Sequence, residues 1–126
     1  TDFATARQWH ARIDNQRLAD SLAEVIALAA GRDHPDEAIR WVMELNENAR
    51  DKALSGLAAT LRTKDHRPVE VISAIADPQM KTNAVLTLAI RYAKSDPQYV
   101  QHLIDRAGLP QADADDLRHM FGLDDP

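Results

Sequence analysis

An apolar pattern that recurs every 31 or 32 residues is the feature that constrains the fold of this chain most. It occurs three times, as Leu22, Val25, Ile26 and Ala29, as Leu54, Leu57, Ala58 and Leu61, and as Val85, Leu88, Ala89 and Tyr92. Apolar residues with this spacing occupy one face of an α-helix. A single helical hairpin cannot bury such a face, so we expect neighbouring hairpins to stack and bury it together.

Each apolar run leads into a turn in which proline follows an acidic residue within three positions, at 33–35, 65–68 and 95–97. The acidic side chain caps a helix, and proline loses no needed hydrogen bond at the first helical position. Eight helices are predicted, over residues 2–13, 16–30, 35–45, 49–63, 68–75, 78–94, 97–106 and 110–121. Gly31, Gly108 and Gly122 fit helix C-terminal caps.

We therefore predict an all-α fold, a right-handed α-α superhelix of about three and a half helical hairpins plus a C-terminal capping helix. The whole chain forms a single helical-repeat domain in this interpretation. Its units are residues 1–14 (a half unit), 15–46, 47–77 and 78–108, followed by a cap and acidic tail at 109–126. A compact helical bundle is the alternative architecture.

Two further repeated motifs point to a known class of proteins. The tetrapeptides at 6–9 and 38–41 both read Ala-x-x-Trp, and together with the Leu-Ala and Asp-Pro positions they extend the pattern over residues 4–106. This arrangement resembles the α-solenoid superfamily, near tetratricopeptide-like and HEAT-like repeats and a class of degenerate bacterial helical repeats. The resemblance implies a scaffold that binds proteins or peptides, and it assigns no individual functional residue.

The charge distribution argues against a general nucleic-acid surface. The net charge is -5, but the tail from Asp113 onward holds five acids and one base, which leaves 15 acids and 14 bases in residues 1–112. Binding to a phosphate backbone needs clustered excess base. No stretch is apolar enough to span a membrane. The chain begins with Thr1, so we expect an excised or processed fragment whose compartment the sequence leaves open.

The residues that could carry chemistry are scattered. His34 and His66 each follow an Asp, but no second ligand stands at helical spacing, and the chain has no Cys. The acidic pairs at 36–37 and 115–116 fit the first turns of helices, where negative charge is favourable. No serine lies in a nucleophile motif, and no glycine-rich loop exists to hold phosphate. We expect no enzyme, no metal site and no cofactor.

The long helices carry a second face, opposite the predicted core stripe, that is small and mostly uncharged. Its members are Ala23, Glu24, Ala27 and Leu28, then Ser55, Gly56, Ala59 and Thr60, then Leu86, Thr87, Ile90 and Arg91. Either these residues let neighbouring helices pack closely, or they line a groove that admits a partner's helix or peptide. For the groove, the candidate contact residues are Ala59, Thr60, Leu86, Thr87, Ile90 and Arg91.

Trp9 and Trp41 share one position of the repeat. Tryptophan is enriched in binding hot spots, so the pair could be exposed anchors. Their equivalence favours core packing between repeats instead.

The sequence as a whole predicts a protein- or peptide-binding scaffold module of a larger protein, without catalysis. Its partners would be proteins, peptides or neighbouring domains of the same chain. The alternative is a structural or self-associating domain, because the half unit at the N-terminus leaves an apolar end uncovered. A HEAT-like nucleic-acid-binding domain is less favoured.

Overall fold

The computed structural model of the protein describes residues 3–123 and contains eight helices and no strand within them. The helices hold 77% of these residues, which confirms the all-α class. They are α1 (Phe3–Ala11), α2 (Gln16–Asp33), α3 (Pro35–Met43), α4 (Glu47–Thr60), α5 (His66–Ser73), α6 (Pro78–Tyr92), α7 (Pro97–Arg106) and α8 (Gln111–Met120).

The helix boundaries lie close to the predicted ones, although Asp2, the first predicted helical residue, lies outside the described residues. The main correction concerns α2, which continues to Asp33. Gly31 is buried inside this helix, so its predicted role as a cap is wrong. Gly108 and Gly122 follow α7 and α8 with φ of 79° and 68°, which confirms their prediction as left-handed caps.

The acidic caps follow the predicted turns in two of three cases. The carboxylate of Asp65 accepts a hydrogen bond from the backbone N–H of Arg67, and that of Asp96 accepts one from Tyr99. The prediction is wrong at the first turn, because Asp33 is the last residue of α2. His34 takes the N-cap position of α3 there and makes no side-chain cap bond.

The described helices fall into two compact units, Thr1–Leu61 with α1 to α4 and Arg62–Pro126 with α5 to α8. The right-handed stacking of hairpins along the whole chain stays a prediction.

In the first unit, α2 packs chiefly along α4 and also contacts α3 and α1. The buried face of α2 is built mostly from alanine and comprises Ala19, Ala23, Ile26, Ala27 and Ala30. Small side chains let the helices approach closely. A Cβ atom placed on Gly31 would lie 2.8 Å from Cδ2 of Leu57, so any larger residue here would require the Leu57 side chain to move.

In the second unit, α6 and α7 pack together around buried aliphatic side chains, and α8 packs against α7. Tyr92 and Tyr99 meet edge to face with ring centroids 5.4 Å apart. Helix α8 buries Ala114 and Leu117 and is tied down by the guanidinium of Arg118, which donates to Asp105 at 2.8 Å. The last two acids of the tail lie outside the described residues.

Candidate binding surfaces

The six predicted contact residues belong to two different units. Ala59 and Thr60 lie on α4 in the first unit, where both are half-buried. The other four, Leu86, Thr87, Ile90 and Arg91, lie on α6 in the second unit. Within the first unit, Ala23 and Ala27 of the small face of α2 are buried, whereas Glu24 and Leu28 are half-buried. A groove that combines all six residues remains a prediction.

On α6, one line of residues faces solvent. Ile90 is 68% exposed, and Asn83, Thr87 and Lys94 are exposed as well. The first three share one side of α6 at intervals of four and three, and Lys94 comes four residues after Ile90, in the turn beyond the end of α6 at Tyr92. Leu86, which the sequence placed with Ile90, is half-buried beside this line. We call Asn83, Thr87, Ile90 and Lys94 the α6 surface.

On α2, an apolar line with the same spacing faces solvent. Val25 is 59% exposed, Leu18 and Ala29 are exposed, and Leu22 is half-buried. Three of the four belong to the pattern that predicted a core stripe, so that prediction is wrong for Val25 and Ala29. We call Leu18, Leu22, Val25 and Ala29 the α2 surface.

Two clefts flank the α2 surface, and Val25, Ala29 and Asp33 line both of them. The first, of about 470 Å³, is also lined by Phe3, Ala6, Ile26, Ala30 and His34. The second, of about 570 Å³, is also lined by Leu28, Arg32 and Thr60. Apolar walls with a few polar groups at one end are typical of sites that bind ligands or peptide side chains.

The two tryptophans differ, although they share a repeat position. Trp41 is half-buried, and the rings of Phe3 and His10 meet it edge to face at 5.8 and 5.3 Å. Trp9 is 61% exposed, so the prediction of core packing is wrong for this residue. It stands one turn after Ala6, which lines the first cleft.

The turn after α6 shows how a basic residue is held in this fold. The ammonium of Lys64 donates to Oδ2 of Asp96 at 2.9 Å and lies 5.8 Å from the ring centroid of Tyr92. This hydrogen bond, together with that from the backbone N–H of Tyr99, holds the pKa of Asp96 below its ordinary value. The ammonium of one lysine thus pairs with a carboxylate and lies near an aromatic ring.

Asp33 occupies the corresponding turn after α2, since Asp33, Asp65 and Asp96 follow one another at the repeat interval. Its side chain is exposed, and within residues 3–123 it takes part in no ion pair. Lys94, at the end of the α6 surface, is likewise exposed and unpaired in the described part of the chain. Asp33 therefore follows the α2 surface and Lys94 ends the α6 surface, and neither charge forms an ion pair with a described residue.

The histidines and carboxylates do not form a metal centre among residues 3–123, where no three potential ligands come together. His34 and His66 lie exposed at the starts of α3 and α5. In the same range, no helix has the length and apolar character needed to cross a bilayer.

The chain matches no protein-family model, no curated protein sequence and no solved structure.

Sequence reasoning missed the α2 surface and Asp33. The signal was present in the alanines at 19, 23, 27 and 30, which recur at helical spacing beside the larger apolar stripe. The sequence of α2 therefore contains two faces that are apolar enough for the core. The alanine face, which allows closer helix packing, is the one that is buried.

Proposed function

We propose that this chain is a protein-binding helical module whose α2 surface holds a helix or peptide of a protein partner, with no chemistry at the site. The observation that carries the proposal is the line of apolar side chains exposed along α2, from Leu18 to Ala29. Single exposed apolar residues are normal on a protein surface. A continuous apolar line beside two clefts is typical of an interaction site.

The repeat supports a more specific assignment to the solenoid proteins. The period of 31–32 residues and the alternation of longer and shorter helices support a scaffold of the tetratricopeptide-like or HEAT-like kind. In such proteins each hairpin buries the face of its neighbour and the remaining faces bind partners. The α6 surface, with Ile90 at its centre, would be a second contact surface of the same scaffold.

A protein partner fits these surfaces better than a nucleic acid does. The side chains of the α2 surface are apolar, whereas a phosphate backbone is bound by clustered Lys and Arg. The near-neutral charge of residues 1–112 supports the same choice. The matching ligand would be a helix with an apolar face that packs over Val25 and reaches into the clefts on either side of it.

Site-specific photocrosslinking tests this proposal. A photoreactive amino acid is placed at Val25 in the full chain, and the protein is irradiated in an extract of its source cells. The matched control carries the same group at Asn48, an exposed polar residue of α4. We expect defined adducts with a protein from Val25 and none from Asn48. Mass spectrometry then identifies the partner.

The Val25→Asp variant supplies the second control. Because Val25 is exposed, its circular dichroism should equal that of the wild type, while binding to the identified partner is lost. Adducts from Asn48 as abundant as those from Val25, or full binding by Val25→Asp, would refute the α2 surface as the binding site.

A further inference from the structure

The α2 and α6 surfaces are alike in spacing and opposite in terminal charge. Both hold four residues at intervals of four, three and four; all four lie on α2 in the first case, and in the second three lie on α6 and Lys94 lies in the turn directly after it. The α2 surface is followed by Asp33 four residues after Ala29, and the α6 surface ends in Lys94 four residues after Ile90. If the two helices lie side by side and parallel, Lys94 reaches Asp33 when Ile90 lies beside Ala29.

The same pairing already exists once within this chain. Lys64, which follows the end of α4, binds the carboxylate of Asp96, which follows α6, and lies over Tyr92. In the repeat, Asp33 corresponds to Asp96 and Ala29 corresponds to Tyr92. The turn after α2 therefore offers the carboxylate and the adjoining apolar position, but no described lysine or arginine binds them.

A cation at the end of α2 has a further source of stabilisation. The last carbonyl groups of a helix carry partial negative charge, which adds to that of Asp33. Arg32 lies on the other side of the α2 line, where it lines the cleft with Leu28 and Thr60, while Asp33 lines both clefts. A lysine that approaches from the side of the first cleft meets the carboxylate and remains away from Arg32.

We propose that the α6 surface of a second copy of this chain occupies the α2 surface, with Ile90 packed beside Ala29 and Lys94 paired with Asp33. The inference rests on the proposed function and names its partner. Because the two surfaces differ, the contact is heterologous and leaves one free α2 surface and one free α6 surface on every pair. Association therefore continues head to tail, into a ring or an open filament.

Two variants that each break one surface give the decisive experiment. Val25→Asp destroys the α2 surface and keeps the α6 surface, whereas Ile90→Asp does the reverse. Both residues are exposed, so both variants should keep the circular dichroism of the wild type. In sedimentation velocity, we expect the wild-type mass to rise steadily with concentration and each variant alone to remain a monomer.

The equimolar mixture of the two variants distinguishes this contact from others. One intact α2 surface and one intact α6 surface remain in it, so we expect a species with the mass of two chains and none larger. A symmetric contact between two α2 surfaces predicts instead that Ile90→Asp associates by itself. That result, or a mixture that stays monomeric, would overturn the proposal.

A charge exchange tests the ion pair separately. Asp33→Lys and Lys94→Asp should each weaken association at least about tenfold, because each places like charges together. The double variant Asp33→Lys/Lys94→Asp should restore association to within a few-fold of the wild type. Failure of the double variant to recover would overturn the assigned register.

The outcomes also separate this proposal from the proposed function. A wild-type chain that is a monomer at all concentrations but forms adducts through Val25 with another protein would overturn self-association alone. A monomer that forms no adduct would overturn both.

Discussion

Helices α2 and α4 stand at equivalent places in the repeat, and they differ in which side another helix covers. Val25 is 59% exposed, whereas Leu57, its equivalent on α4, is 0% exposed. Ala29 is exposed, and its equivalent Leu61 is buried. The difference arises because Leu57 packs against α2 at Gly31, while none of the helices in residues 3–123 covers Val25. Burial in a repeat thus depends on the neighbour as well as on the pattern.

The exposed apolar side chains of the α2 surface would contribute hydrophobic free energy if a partner buried them. Complete burial of a Val or Leu side chain is favourable by about 1.5–3 kcal/mol relative to its exposed state. A partner that covered Val25 and Leu18 would gain part of this free energy, against the entropy cost of association. Leu57, the α4 equivalent of Val25, is already buried within the fold.

The largest expected effect comes from truncating the two equivalent residues. Leu57→Ala should lower the free energy of unfolding by roughly 2–5 kcal/mol, because it opens a cavity in a packed core. Val25→Ala should change it by less than about 0.5 kcal/mol, because that side chain is mostly in water already. Urea unfolding of both variants, followed by circular dichroism, measures the two values.

Equal destabilisation by Leu57→Ala and Val25→Ala would contradict the difference in burial between α2 and α4. It would mean that Val25 is covered in solution as Leu57 is. Repeating the measurement at several protein concentrations identifies the source, since cover by a second copy gives a stability that rises with concentration.

A smaller effect is expected at the glycines where α2 and α4 cross. A Cβ at Gly31 would lie 2.8 Å from Cδ2 of Leu57, which is fully buried, so its side chain would have to shift within the core. Such overpacking costs roughly 1–3 kcal/mol. Replacing glycine by alanine inside a helix returns up to about 1 kcal/mol. We therefore expect Gly31→Ala to lower the free energy of unfolding by about 1–2 kcal/mol in urea unfolding.

Gly56 is the matched control on α4. A Cβ there would lie 2.9 Å from Cδ2 of Leu28, but Leu28 is half-buried and its side chain can turn toward the adjoining cleft. Gly56→Ala should therefore leave stability unchanged or raise it by up to about 1 kcal/mol. A loss at Gly56 as large as that at Gly31 would show that both crossings are equally tight.

The sequence was sufficient for the helices because their signals are local. Proline at the first position of α3, α6 and α7, and apolar spacing along α4 and α6, depend only on nearby residues. The end of α2 could not be found in this way, because Gly31 lies inside the helix where α2 meets Leu57, a residue far along the chain.

The candidate site was harder to predict because exposure depends on the presence of neighbours. Ile90 was correctly chosen as a residue outside the core, but Val25 was assigned to the core with Leu57 and Leu88. The three share one sequence pattern and differ only in what packs over them. Asp33 was missed for a similar reason, since its carboxylate was expected to cap α3.

The third copy of the repeat extends the comparison, with Tyr92 at the position of Leu61 and Ala29. Tyr92 is half-buried and packs edge to face against Tyr99, which is 8% exposed. The hydroxyl of Tyr99 is buried and has no hydrogen-bond partner among the described residues. A buried polar group without a partner is destabilising, so Tyr99→Phe should raise the free energy of unfolding by about 1 kcal/mol. Urea unfolding at pH 7 measures the gain.

The pH dependence of unfolding gives this prediction a second signature. Burial, with smaller contributions from Tyr92 and the carboxylates of Asp65 and Asp96, raises the pKa of Tyr99 to about 12 from an ordinary value of 10.0. Above pH 10 the unfolded chain therefore loses this proton before the folded chain does. The contribution that this difference in pKa makes to the free energy of unfolding is fully present below pH 10, and it is lost as the pH rises toward 12.

In the Tyr99→Phe variant, the free energy of unfolding should no longer show this part of the decrease between pH 10 and 12, and at pH 7 it should remain above that of the wild type. The two tyrosines of the chain make the difference between wild-type and variant absorbance titrations a direct measure of Tyr99. A variant that is less stable at pH 7 would show that the hydroxyl is hydrogen-bonded in solution. The contact between Tyr92 and Tyr99 would then depend on that bond as well as on ring packing.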